Sequence, residues 1–266
     1  MNKAPLVAYC CFGEVDGRLL GLSLHSLLDT GDYKGRIVIL TDMTFDELRK
    51  CCPLAIYPTV TVIQVSAKHE LSSKLLRYRL HRYLDISGHA PILYFDCDII
   101  FDKPIRAMLD EVATAEAICF PSEPNSLAMW PSMGGDLLSA EGIVREGHGF
   151  NSGTMGIPDG ATFRYFAHLE SVIWTIVYFW ENERAKFSRW IDQPVVNYIQ
   201  AKSQIFDTTR LTPYHRYCFE TDYPDAGSEC RAGAVHFFDF DKETRMRDYL
   251  GRISNVPLAE HMVGDL

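Results

Sequence analysis

Two aspartates two residues apart, Asp96 and Asp98, end the apolar run Pro91-Ile92-Leu93-Tyr94-Phe95. In an extended strand, residues i and i+2 point to the same side, so both carboxylates can face one point while Cys97 faces away. In open α/β folds, ligands sit at the carboxyl ends of strands. Two carboxylates brought together there are costly unless a counter-charge neutralises them, and a divalent cation does so best. Such a cation can in turn hold a diphosphate, which points to a phosphorylated or nucleotide-linked substrate. A plain strand end with two solvated aspartates reads the same way, so the weight falls on what the rest of the chain supplies.

The rest of the chain supplies several partners. His236 lies in Ala234-Val235-His236-Phe237-Phe238, and Lys242 follows it by six residues. A histidine in an apolar strand is ordinarily a satisfied core residue. If this one reaches the aspartates, the ligand set is two carboxylates and one imidazole: Asp96, Asp98 and His236. Mixed oxygen and nitrogen ligation suits Mn²⁺ better than Mg²⁺, which stays as the second candidate. Lys242 offers a point positive charge to a diphosphate. Arg79 falls, at about 100° per residue, inside the broad apolar face made by Leu75, Leu76, Leu80, Tyr83 and Leu84. A buried guanidinium needs an anion, and a metal-site aspartate or a substrate phosphate would serve. Arg77, His81 and Arg82 fall outside that face and are expected in solvent. Phe150-Asn151-Ser152-Gly153 is a polar step before a small-residue strand. Asn151 can donate to and accept from a sugar hydroxyl, and Gly153 lets a ligand approach the backbone. Asp192-Gln193-Pro194 reads as a helix start, with Asp192 as N-cap and Pro194 in the first turn. Gln193 would then present its amide to whatever lies before the helix.

The elements that must position these groups alternate. Leu6–Cys11, Arg36–Leu40, Val60–Val65 and Ile92–Phe95 read as strands. Helices read over Leu19–Leu28, from the capping box Thr44-Phe45-Asp46-Glu47 to Cys52, and from Ser72 or Ser73 to about Leu84. This pattern predicts an α/β domain with a mixed, mostly parallel sheet and helices on both faces. Pro121–Gly149 reads as a long Gly/Pro/Ser loop, a candidate lid or acceptor wall that carries Trp130. Ala161–Phe179 and Asp192–Ala201 read as helices, and Ala234–Phe238 as a late strand. No linker or repeat is visible. The whole of 1–266 is therefore expected to be one domain, with residues 1–101 as a nucleotide-binding half and 102–266 as an acceptor and catalytic half.

Composition narrows the function. A net charge of −9 argues against a nucleic-acid binder, which should carry a basic face. No secretory signal is read at Met1-Asn2-Lys3-Ala4-Pro5. The most hydrophobic window, Ser171–Trp180, is too short to span a bilayer and is flanked by Glu170, Glu181 and Glu183. Peripheral membrane contact is compatible with it, with no feature in its favour. The 8 cysteines form no C-x-x-C zinc pattern, and a reducing cytoplasmic compartment is the simplest expectation. No G-x-G-x-x-G, P-loop or G-x-S-x-G motif is present.

The order of segments resembles glycosyltransferase family 8: an Arg in the helix before the strand, D-x-D at its end, F-N-S-G, D-Q, then H followed six residues later by K. That family includes bacterial lipopolysaccharide galactosyl- and glucosyltransferases and glycogenin. The resemblance runs from the first strand to about Lys242. It implies a single Rossmann-like GT-A domain and transfer of a hexose from a UDP-sugar to a saccharide or lipid-linked glycan, with retention. It implies that Asp96, Asp98 and His236 bind Mn²⁺, that Asp96 also meets the UDP-sugar, and that Lys242 contacts phosphate. It implies that Arg79, Asn151, Ser152 and Gly153 line the donor, and that Asp192 and Gln193 lie at the anomeric carbon. Two departures stand out. Asp16 occupies the place of the family's uracil-stacking Tyr, leaving Phe12 as the nearest aromatic. Phe238-Asp239 replaces the usual Gly region, and Asp239 and Asp241 add negative charge near Lys242. A sugar-nucleotidyl transferase and a catalytically degenerate GT-A scaffold are the competing readings; oligomeric state is not legible.

Overall fold

The computed structural model describes residues 3–66, 70–182, 191–219, 227, 231–238 and 241–254. Along the chain run β1 (Ala4–Cys11), α1 (Gly13–Leu28), β2 (Arg36–Thr41), α2 (Phe45–Cys51), β3 (Val60–Gln64), α3 (Glu70–Leu76), α4 (Leu80–Tyr83), β4 (His89–Phe95), β5 (Ile99–Phe101) and α5 (Arg106–Ala113). Then follow β6 (Ile118–Cys119), β7 (Ser122–Leu127), α6 (Gly135–Ala140), β8 (His148–Phe150), β9 (Thr154–Ile157), α7 (Phe163–Asn182), α8 (Gln193–Ser203), β10 (Phe206–Asp207), β11 (His215–Cys218), β12 (Ala234–Phe237) and α9 (Lys242–Ile253). Seven strands belong to the main sheet, which is mostly parallel, as the alternation of strands and helices predicts. Among the described residues no helix is long and apolar enough to cross a membrane.

The chain packs as two compact units that interleave in sequence. The first unit comprises Pro5–Ser66, Phe95–Asp110 and Pro213–Leu266. In it β1, β2 and β3 pair in parallel, Leu6 opposite Arg36 and Ile37 opposite Val60. From Leu6 to Cys11 every β1 side chain is buried, as expected of a parallel strand covered on both faces. Each fully buried aliphatic side chain there contributes roughly 1.5–3 kcal/mol. A second sheet of the order β11-β12-β5 completes the unit, with β12 parallel to β11 and antiparallel to β5. The capping box of α2 is formed: Thr44 accepts from the Glu47 N–H and Glu47 accepts from the Thr44 N–H.

The second unit comprises Met1–Ala4, Ala67–Tyr94 and Glu111–Thr212. Its strands run in the order β4-β9-β6-β10, with β6 parallel to β10 and antiparallel to β9. Two sequence expectations fail here. The stretch 121–149 is not an open loop: β7 pairs antiparallel with β8, and a 3₁₀ turn (Pro131–Met133) and α6 lie between them. Gly134 makes this compaction possible. Its φ of +83° is left-handed, and a Cβ would stand 2.4 Å from the Pro194 carbonyl oxygen. Trp130 is 45% exposed within this segment. The helix expected to run from Ser72 or Ser73 to Leu84 is also broken. Both serines lie inside α3 (Glu70–Leu76), and a 3₁₀ turn at Arg77–Arg79 separates α3 from α4. A 3₁₀ turn advances about 120° per residue rather than 100°, which shifts the phase of every later side chain.

Candidate functional site

In the first unit, β4 ends at Phe95, one residue before the first aspartate, so Asp96-Cys97-Asp98 form a tight turn into β5 rather than a strand end. The carboxylates still converge, through a different device. β12 pairs with β5 in a register that sets His236 opposite Ile99, and the Phe237 N–H donates to the Asp98 carbonyl at 3.0 Å. The imidazole is thereby fixed beside Asp98, with Nε2 3.0 Å from Oδ1. One ligand atom each from Asp96, Asp98 and His236 lie within 4.8 Å of one another. Cys97 turns away as expected and donates its S–H to the Cys10 carbonyl at 3.3 Å.

Lys242 starts α9 and places Nζ 2.6 Å from Asp98 Oδ2. Burial raises the Asp98 carboxyl, but the charges and hydrogen bonds of His236 and Lys242 outweigh it and hold the group well below the usual carboxylate range. Burial opposes charge on Lys242 too, and Asp98, Asp96 and Asp16 overcome it and raise its pKa. Asp16, on the first turn of α1, accepts from the Phe12 N–H at 3.3 Å. Its pKa is raised, by burial first and then by the charges of Asp98 and Asp96, against the Phe12 hydrogen bond. Phe12 is half-buried and its extended backbone ends β1. Asp241 is exposed, and Asp239 lies outside the described residues.

These residues fit a divalent cation. Three carboxylates face one lysine and one imidazole, leaving negative charge to balance. His236 Nδ1 is buried without a hydrogen-bond partner among the described residues. Two carboxylates and an imidazole are a donor set for a borderline cation such as Mn²⁺.

In the second unit a different cluster forms around Asp192. Asp192 stands at the start of α8, with Pro194 in the first turn as expected, yet its carboxylate does not cap the helix. It accepts from Tyr78 Oη at 2.7 Å and lies 3.6 Å from Arg77 Nη1. Burial raises the Asp192 pKa, but Arg77, Lys74 and the Tyr78 hydrogen bond hold it below its ordinary value. Arg77 is only 6% exposed, donates to the Ser152 carbonyl at 3.0 Å and lies over the Tyr94 ring. The expectation that Arg77 is solvated is therefore overturned, because the 3₁₀ turn rotates it inward. Arg82 and His81 reach the surface side and share Glu170. Arg79 is half-buried, with its Nε unpartnered among the described residues.

Asn151 is 2% exposed and sits at the hub of a polar network. Its Nδ2 donates to Glu123 Oε2 and to Gln193 Oε1, each at 3.2 Å, and its Oδ1 accepts from the Gly153 N–H at 2.7 Å. Glu123 is itself buried and accepts from Ser126 Oγ. Ser152 is buried and presents its carbonyl to Arg77. Asn197, fully buried one turn after Gln193, clamps Phe150: Oδ1 accepts from its N–H at 3.0 Å and Nδ2 donates to its carbonyl at 2.8 Å. Sequence reasoning finds Asn151, Asp192 and Gln193 in this cluster and misses Arg77, Tyr78 and Glu123. Only the break in the helix could have flagged the first two, and Glu123 stood inside the presumed loop.

No family model matches the sequence, and no curated protein matches it. The fold has many solved counterparts. The WbbM bifunctional glycosyltransferase aligns with a TM-score of 0.63 and 11% identity over 98% of this chain, which spans 51% of that one. The galactosyltransferase LgtC, solved with donor and acceptor sugar analogues, aligns with a TM-score of 0.60 and 11% identity over 96% of this chain and 99% of its own. Mouse xyloside xylosyltransferase 1 aligns with a TM-score of 0.58 and 12% identity over 88% of this chain and 98% of its own. The chain thus has the GT-A fold of these glycosyltransferases.

Proposed function

We propose that the protein is a metal-dependent glycosyltransferase that moves a hexose from a UDP-sugar to a saccharide or lipid-linked glycan acceptor, with retention of configuration. The observation that carries this reading is the convergence of Asp96, Asp98 and His236 donor atoms within 4.8 Å, on a fold shared with solved glycosyltransferases. Asp96, Asp98 and His236 are the residues assigned to hold the cation, Mn²⁺ for preference. When bound, the cation neutralises charge on the leaving diphosphate.

The chain's own residues are assigned the remaining roles. Lys242 is assigned to the phosphates; with His236 it also holds Asp98 ionised. Phe12 is the aromatic assigned to the base, and Arg79, Ser152 and Gly153 are assigned to the donor. Asn151 and Asp192 are assigned to the hydroxyls of the transferred sugar. Asp192 is well suited, because Arg77 and Tyr78 keep it ionised despite its burial and fix it in place. Gln193 is a positioning group rather than a nucleophile. An amide oxygen is weakly nucleophilic, and here Gln193 Oε1 already accepts from Asn151 Nδ2. Its Nε2 lies 3.5 Å from Met133 Sδ, which leaves one N–H for a sugar oxygen. Front-face transfer follows: the acceptor hydroxyl attacks from the side that UDP leaves, and its proton passes to a phosphate oxygen.

The test is UDP release from a panel of UDP-hexoses, with and without Mn²⁺. One sugar should give release that EDTA abolishes and that Asp98→Asn lowers by about 100-fold or more. UDP release from no member of the panel, or release indifferent to Asp98→Asn, would count against the assignment.

A further inference from the structure

A cavity of about 430 Å³ opens at the C-terminal end of α8, lined by Ile143, Val144, Arg145, Gln204 and Phe206 among others. We propose that it is a second ligand site, which takes a hydroxylated oxyanion, a sugar acid or a sugar phosphate, through the Arg145 guanidinium.

Arg145 carries the inference. Its guanidinium is half-buried, and its single hydrogen bond among the described residues runs from Nη1 to the Asn197 carbonyl at 3.4 Å. No carboxylate among the described residues lies within ion-pair distance of it. Three other arginines of the same unit are paired with carboxylates: Arg77 with Asp192 at 3.6 Å, Arg82 with Glu170 at 2.5 Å, Arg210 with Asp207 at 3.1 Å. Nearby acids do not supply the partner. Glu141 is committed to Lys202 and Tyr198, and Glu146 points into solvent. Burial without a counter-ion depresses the Arg145 pKa. A planar guanidinium with unused donors, held at a cavity wall, matches a carboxylate or phosphate in shape and charge.

The remaining wall sets the rest of the ligand. Gln204 caps α8 in a left-handed conformation, φ +51°. Its side chain is exposed and makes no hydrogen bond among the described residues, so its amide is available to hydroxyls. Val144, 84% exposed, and Phe206 give an apolar flank. Gln200 takes no part, since its amide is spent on both backbone groups of Phe206 at 2.9 Å. A cavity of this size holds a small organic ligand. Gln193 and Gln204 are 11 residues apart, about 16 Å along the helix at 1.5 Å per residue. The cavity is thus a place distinct from the Asn151–Gln193 cluster.

Calorimetric titration with glucose 6-phosphate, glucuronate and neutral glucose tests the proposal. At least one of the two anionic sugars should bind saturably and glucose should not; which anion binds identifies the oxyanion. Arg145→Ala should weaken binding about tenfold or more, with Arg145→Lys in between. Gln204→Ala, at an exposed position, should weaken it severalfold and guards against misfolding of the arginine variant. Asp98→Asn should bind as the parent does, which separates this site from the metal centre. Equal binding of glucose, unchanged binding in folded Arg145→Ala, or no saturable binding of either anion would overturn the proposal.

Discussion

Arg77→Met is the most informative single change to the scaffold. It keeps an unbranched apolar stem, a shorter one, and removes the charge. In the parent protein both partners of the Arg77–Asp192 pair are nearly inaccessible, with side-chain exposures of 7% and 6%. Coulomb attraction across 3.6 Å is roughly 5 kcal/mol at an effective dielectric of about 20. Desolvation of both ions offsets much of that, so the pair adds little net stability over an apolar pair. Removing one partner is different. Asp192 would stay buried with Tyr78 Oη and the more distant Lys74, and the Ser152 carbonyl would lose its donor. The cost should be about 3–5 kcal/mol, a fall in Tm on the order of 10 °C for a chain of this size. Adding Asp192→Asn should restore most of it, since an amide oxygen can still accept from Tyr78. Urea and thermal unfolding of the four species of the cycle measure this. A loss under about 1 kcal/mol for Arg77→Met, or strictly additive effects, would refute the buried pair and favour a solvated arginine.

Two further outcomes follow from the same geometry. The Asp192 carboxyl is held below its ordinary pKa. Its contribution to stability is therefore full above the unfolded value of about 3.9 and is lost as pH falls through the folded value; the parent should lose more stability between about pH 5 and pH 2 than the Arg77→Met/Asp192→Asn double variant, and identical pH profiles would contradict this. Asn197→Ala strips hydrogen-bond partners from both backbone groups of Phe150. At about 1–3 kcal/mol for each buried group left unsatisfied, it should cost about 2–6 kcal/mol and open β8 to amide exchange; unchanged protection of the Phe150 amide would speak against the clamp.

What the sequence discloses depends on how local each feature is. The D-x-D pair, the Thr44 box and the Asp192–Pro194 helix start are set by residues close in sequence, and each appears where the spacing puts it. The reason behind the D-x-D pair still differs: a turn, and not strand alternation, brings Asp96 and Asp98 together. His236 joins them through the β12–β5 register, which sets it opposite Ile99, 137 residues away in sequence. The residues alone offer that contact only as a condition, and the family resemblance implies it. Arg77 fails for a simple reason. A helical wheel assumes one phase from end to end, and three residues of 3₁₀ turn are enough to bury Arg77 and leave Arg79 half-buried. The 121–149 segment reads as a loop because its strands are short and polar, Ser122-Glu123-Pro124-Asn125-Ser126-Leu127 against His148-Gly149-Phe150, and gain order from pairing rather than from apolar periodicity. Glu123 was hidden by that misreading.

The central claim is that Asp96, Asp98 and His236 together grip one divalent cation. Titration of the protein with Mn²⁺, followed by the electron paramagnetic resonance of the free ion, tests it without any need to know the acceptor. One Mn²⁺ should bind per chain, more tightly with UDP present, with affinity lost in Asp98→Asn and reduced about 10–100-fold or more in His236→Ala. Equal Mn²⁺ uptake by parent and both variants would contradict it.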